Sequence, residues 1–210
     1  MGLVKYVLRC MTKVLSSFLI KCGLKHNNYL VSIQNLINNG LKLGKNVTIE
    51  TTVYIDNVYP FLISIGDNCS IANGTRVLAH DDTPYKFIGG YARLGKVNIK
   101  DNCFIGENCI ILPGVTIGPN VLVAAGSVVN KDIPENSCVA GVPARFYCKF
   151  SDFIDHQRNE LKNATVFDYY DLHAGISDNI KSTVSNALEK GSCYVRGKRG
   201  RKINYIDWNK

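Results

Sequence analysis

At 210 residues and 46% hydrophobic content, the chain is long enough to bury a sizeable core, and one main domain with appendages is the natural division. Its 25 basic against 17 acidic residues leave a net charge of +8, which favours an anionic ligand or surface. No helix-turn-helix, zinc-finger or aromatic RNA-binding signature accompanies that charge, so nucleic acid is not an expected partner. The eight cysteines include no C-x-x-C pair, which argues against a zinc site or a disulfide framework and for reduced thiols in a cytoplasmic protein.

Residues 1–24 read as an amphipathic to broadly apolar helix. Val4, Val7, Leu8, Met11, Val14, Leu15, Phe18 and Leu19 make a wide apolar face, and Lys5, Arg9 and Lys13 recur on the other side. Ser16 and Ser17 interrupt the apolar run, which is too short to span a bilayer. The basic residues threaded through it also distinguish it from a secretory signal. Seven basic residues precede the first acid, Glu50. Packing against the rest of the fold or a neighbouring subunit is the preferred role. The alternative is peripheral contact with anionic lipid at the inner face of the membrane. Residues 27–40 lead onward with Val31, Ile33, Leu36 and Ile37 as packing candidates, and 1–40 is taken as one N-terminal segment.

From Leu43 the chain repeats in sixes. Leu43, Ile49 and Ile55 lead three of them, and Ile65, Ile71 and Val77 lead three more. Ile99, Ile105, Ile111, Ile117, Val123 and Val129 lead an unbroken run to Ile133. Ten of the twelve fifth positions are small or medium, among them Cys69, Cys103 and Cys109; Tyr59 and Asp81 differ, where runs end. Apolar residues spaced 4, 2, 4, 2 lie on one face of an extended chain and not on a helix. A period held this long marks a solenoid, in which stacked coils bury an edge that none could bury alone. The intervening Gly, Asn and Asp residues suit tight corners. Residues 57–62 lengthen the period by four, which reads as a small excursion at a corner.

The second run ends in Val77-Leu-Ala-His80-Asp81-Asp82, followed by a long loop over 81–93 with Tyr85, Phe87 and Tyr91 and a Gly89-Gly90 joint. Of four histidines only His80 lies in the repeat. As the fourth residue of its six it faces outward, at the start of a loop carried by a rigid scaffold. From position alone, a solvated corner histidine is the alternative. Further on come Val123-Ala-Ala125-Gly126-Ser127-Val-Val-Asn130-Lys131-Asp132-Ile-Pro and Val139-Ala-Gly-Val-Pro-Ala-Arg145.

These motifs resemble the hexapeptide-repeat acyltransferases, nearest the sugar and polysaccharide O-acetyltransferases of the maltose and galactoside acetyltransferase-like group. The resemblance implies an all-β solenoid, a left-handed parallel β-helix over 41–145 with three sixes to a coil. The general preference for right-handed crossovers points the other way, so the hand rests on the resemblance. It also implies direct acetyl transfer from acetyl-CoA to a hydroxyl of a sugar or glycan precursor, with no metal, in a homotrimer. His80 would be the general base, since an imidazole of ordinary pKa near 6.5 can take and return a proton near pH 7. A carboxylate usually orients such a histidine, and Asp81 and Asp82 are the candidates, although an acid elsewhere can serve. Asp82 and Tyr85 belong to the acceptor pocket on this reading. Glu107, Ala125, Gly126, Asn130, Lys131 and Arg145 match positions that meet coenzyme A, with small residues beside the pantetheine arm and basic ones on phosphates. Asn130 departs from the family's usual threonine.

Residues 146–210 form the last segment. A helix is expected over 151–163, with Ser151 as a candidate cap and Phe153, Ile154, Gln157 and Leu161 on one face. A basic tail containing Arg196, Lys198, Arg199, Arg201 and Lys202 closes the chain. Rival readings are an acetyltransferase for serine, an amino sugar or an antibiotic such as chloramphenicol, and a non-catalytic β-helix scaffold. The hexapeptide-repeat carbonic anhydrases need three metal-binding histidines where this repeat has one.

Overall fold

The computed structural model describes residues 28–169, 172 and 177–197. The helix expected over 1–24 and most of the basic tail lie outside them. Two compact units are present, one up to Phe150 and one from Ser151.

In the first unit, helix α1 (Asn28–Asn38) precedes the repeat and contributes Leu36 to its core, with Ile33 packed alongside. The repeat then builds three sheets. Strands β1 (Lys42–Leu43), β4 (Ile63–Ile65), β9 (Val97–Ile99) and β12 (Thr116–Ile117) stack in parallel as the first. Strands β2 (Thr48–Ile49), β5 (Ser70–Ile71), β10 (Phe104–Ile105), β13 (Leu122–Val123) and β15 (Ser137–Ala140) make the second, and β16 (Arg145–Lys149) closes it antiparallel. The third holds β3 (Tyr54–Ile55), β6 (Arg76–Val77), β11 (Ile110–Ile111) and β14 (Val128–Val129). The chain visits the sheets in rotation, so three sixes complete one coil.

Lead residues therefore stack on lead residues: Leu43↔Ile65↔Ile99↔Ile117 in one sheet, Ile55↔Val77↔Ile111↔Val129 in another. From Ile55 onward all are buried, each contributing about 1.5–3 kcal/mol of apolar burial. Cys69, Cys103 and Cys109 fill inward positions, and their Sγ atoms contact the carbonyl oxygens of Lys100, Gly118 and Ala124 at 3.0, 3.1 and 3.2 Å. They pack as small hydrophobes. Burial pushes the Cys109 thiol above its ordinary range, which does not suit a nucleophile.

One corner carries a continuous asparagine ladder. Asn46, Asn68, Asn102, Asn120 and Asn136 all adopt φ between 55° and 59°. Each amide donates to the carboxamide oxygen of the next coil, at 3.1, 3.2, 3.2 and 2.9 Å in order. Asparagine is among the few L-residues that accept this left-handed conformation, and here its amide is also satisfied. The ladder measures the coils, because successive rungs are 22, 34, 18 and 16 residues apart. Against the regular coil of 18, the first two steps contain insertions. Both leave the solenoid at the corner between the third and first sheets: a 3-10 turn at Pro60–Leu62, and the excursion that begins at His80.

In the second unit, α3 (Phe150–Asn163), β17 (Thr165–Asp168), α4 (Asp178–Leu188) and β18 (Cys193–Arg196) follow in order, with β17 and β18 paired in parallel. Ser151 does not cap α3. It lies inside the first turn, and its hydroxyl donates to the Asp152 carboxylate at 3.0 Å. Among the described residues no helix is long and apolar enough to cross a membrane.

Candidate active site

Beyond β6 the alternation of a strand continues for one more turn of side chains. Arg76, Leu78 and His80 face outward while Val77 and Ala79 are buried. The chain then leaves the coil as β7 (His80–Asp81), a short helix α2 (Thr83–Ile88) and β8 (Arg93–Leu94), with β7 and β8 paired antiparallel. The long loop expected over 81–93 is thus a hairpin with a helix at its tip. Pro84 in the first turn and Gly89 at φ +79° as the C-cap are the local reasons. A backbone bond from Gly95 N to Ala79 O, 2.9 Å, closes its base.

Directly beneath, one coil earlier at the same corner, lies Asp56, which is 0% exposed. Its Oδ1 accepts from the backbone N–H groups of Val58 (3.0 Å) and Tyr59 (3.2 Å). Its Oδ2 accepts from Ala79 N (2.9 Å) and pairs with His80 Nδ1. Burial by itself would raise this carboxyl. Donation from Ala79, His80, Tyr59 and Val58 outweighs it and holds the group below its ordinary value of 3.8. Asp56 is therefore an ionised acceptor, and an acceptor-only group requires the proton of a neutral His80 to sit on Nδ1. The Nε2 lone pair is left free for chemistry. The ring, with 19% of its side chain exposed, is steadied by Tyr59 edge-on at 5.4 Å.

This arrangement corrects one expectation and keeps another open. Asp81 was one of two candidates to orient His80, with an acid elsewhere left open, but its carboxylate accepts from Thr83 N at 2.9 Å and lies across the hairpin from Arg93. Bonding to Thr83 holds it below its ordinary value. Asp82 is 71% exposed and brings Oδ2 to 3.6 Å from His80 Nε2, at the place where an acceptor hydroxyl would approach. Asp56 itself was missed. Its signal was the two breaks in period one coil apart, which put the acid before the first break under the histidine before the second.

His80, Asp81 and Asp82 share a cleft of about 370 Å³ with Tyr54, Arg76, Leu78, Arg93, Leu112 and Pro113. Tyr85 stands exposed on α2 and is not part of its lining. The residues matched to coenzyme A lie elsewhere around the third sheet. Gly126 N donates to Glu107 O at 2.7 Å, so residues 107 and 125–126 stack at the corner entering that sheet. A Cβ on Gly106 would stand 2.5 Å from Ala125 N, so the backbones there approach too closely for any side chain. Ala125 and Gly126 are exposed, and Gly126 has φ +72° with open space beside it. Asn130 and Lys131 are exposed where the chain leaves the same sheet, two coils above His80. Arg145 starts β16, in a hairpin tied to β14 by Val128 N to Gly141 O (3.1 Å) and Ala144 N to Val128 O (2.8 Å). Bare backbone flanked by exposed basic side chains suits an extended ligand with an apolar arm and phosphates.

Residues 96–131 match the family model of the bacterial transferase hexapeptide (six repeats), and residues 63–79 match that of the hexapeptide repeat of succinyl-transferase. Bacillus subtilis YvoF, whose name assigns acetyltransferase activity provisionally, is 40% identical over 105 residues, 50% of this chain and 58% of that protein. The Escherichia coli galactoside O-acetyltransferase is 35% identical over 119 residues, 54% of this chain and 59% of that protein. Among solved structures, a Vibrio cholerae hexapeptide-repeat acetyltransferase complexed with acetyl-CoA is 30% identical with a TM-score of 0.47, covering 53% of this chain and 61% of that one. The chain spans 58% and 59% of the length of these two curated relatives. With its six-residue period, stacked coils and both repeat matches, the chain contains a hexapeptide-repeat transferase domain.

Proposed function

We propose that the protein transfers an acetyl group from acetyl-CoA to a hydroxyl of a sugar or glycan acceptor. The observation that carries this reading is the Asp56–His80 pair. A buried, ionised carboxylate fixes the imidazole with Nε2 free at the edge of a cleft, on a repeat shared with named acetyltransferases. His80 Nε2 takes the acceptor hydroxyl's proton as that oxygen attacks the thioester carbonyl. The same imidazolium then returns the proton to the departing thiolate. Asp56 stabilises the positive ring between those two events. Base assistance of this kind is worth roughly 10² to 10⁴ in rate.

Glu107, Ala125, Gly126, Asn130, Lys131 and Arg145 bind acetyl-CoA on this reading, with Lys131 and Arg145 meeting phosphates. Asp82 and Tyr85 contact the acceptor. Tyr85 lies outside the lining of the cleft in one chain, so its role requires a neighbouring protomer of a homotrimer. The solenoid is taken as left-handed, in keeping with the family, and the protein as cytoplasmic, in keeping with Cys69, Cys103 and Cys109, which pack inside the coils as thiols. A thiol-release screen of the purified chain with acetyl-CoA tests the reading across sugars, nucleotide sugars, lipid-linked oligosaccharides and amino acids. Turnover with sugars supports it. Release only with serine or another amine would replace the acceptor class, and no release with any acceptor would favour a scaffold.

A further inference from the structure

Of the two arginines lining the cleft, Arg93 faces Asp81 across the hairpin, whereas Arg76 has no part in the general base chemistry. It stands on the outer face of β6, two outward positions before His80, and both side chains line the same cleft. At roughly 3.3 Å per residue, the two Cα atoms are at most about 13 Å apart, a gap that a bound sugar derivative can bridge. Its guanidinium lies over the Tyr54 ring, 4.6 Å from the centroid. A guanidinium over an aromatic face keeps donors available for a forked pair of bonds to a carboxylate or phosphate.

The charges around it leave Arg76 without a carboxylate of its own. Among the described residues, none lies within ion-pairing distance. Asp81 is engaged with Thr83 and faces Arg93 across the hairpin, and Asp82 is beside His80 Nε2. An exposed, unneutralised guanidinium in the same cleft as a general base is a recognition element for a negative group on the acceptor. We infer that the acceptor is an acidic sugar, whose carboxylate or phosphate is held by Arg76 while a hydroxyl is presented to His80. This deepens the acetyltransferase reading and rests on it.

The test is thiol release by the full chain with acetyl-CoA and a panel of matched acceptors: glucose, glucuronic acid and glucose 1-phosphate, then galactose, galacturonic acid and galactose 1-phosphate. At least one acidic series should exceed its neutral partner by about tenfold or more in kcat/KM, as expected of a charge-assisted pair of bonds. Comparison of the acid and phosphate arms identifies the group. Arg76→Gln should erase that preference through acceptor KM, with acetyl-CoA KM unchanged, and Arg76→Lys should restore part of it. Equal use of neutral and acidic sugars, or an Arg76→Gln effect confined to acetyl-CoA KM, overturns the inference and leaves acetyl transfer standing. Absence of thiol release across the panel overturns both.

Discussion

Replacing Asp56 by asparagine tests the pairing at the base of the site, and the outcome can be worked out atom by atom. An amide keeps one acceptor oxygen and puts an NH₂ donor where the other oxygen was. With the NH₂ toward Val58 and Tyr59, two partly buried N–H groups lose their acceptor; toward Ala79 and His80, only the buried Ala79 N–H does. A buried donor left unpaired costs about 1–3 kcal/mol; the orientation that leaves one donor unpaired, not two, is the second. In it the NH₂ donates to Nδ1, the imidazole proton moves to Nε2, and the lone pair that should accept the substrate proton is gone. The expected result for Asp56→Asn is a loss of about 10² to 10⁴ in kcat for thiol release, with a folded protein destabilised by about 1–3 kcal/mol. Denaturant unfolding and thiol release on one preparation provide both numbers. An Asp56→Asn enzyme with near wild-type kcat would refute the tautomer reasoning.

Two further expectations concern the scaffold. Asn102→Ala removes one amide that both donates and accepts in the ladder and places alanine at φ 59°; a loss of about 2–4 kcal/mol is expected in urea unfolding, with Asn102→Gly recovering the conformational part. In acid, Asp56 has its pKa depressed in the folded state, so its contribution to stability is fully present above about pH 4 and is lost as pH falls through the lower folded value. Thermal melts of Asp56→Asn should therefore depend less on pH below 4 than those of the natural protein, and parallel curves would remove Asp56 as the source.

The scaffold was legible in the sequence because inward positions are specified locally, one six at a time. Ile99 to Val129 carry their period whatever lies around them, and the excess of four residues after Ile55 already marked a corner excursion. Cys69, Cys103 and Cys109 could be assigned to the interior for the same reason. The outward position of His80 followed from strand alternation. Its partner could not be found that way, since Asp56 and His80 are 24 residues apart and meet only when the coil between them, lengthened by the excursion at 57–62, has closed. Nearness in sequence favoured Asp81, but the turn into α2 claims that carboxylate for Thr83 N. The helix at 83–88 is too short to show a period of its own, and Pro84 and Gly89, its start and stop, suit a loop equally well.

The most direct measurement is thiol release by His80→Gln with its best acceptor, alongside coenzyme A binding by titration calorimetry. The expected result is coenzyme A affinity retained and turnover reduced by roughly 10² to 10⁴. Turnover equal to that of the natural protein would contradict a role for His80 as the base.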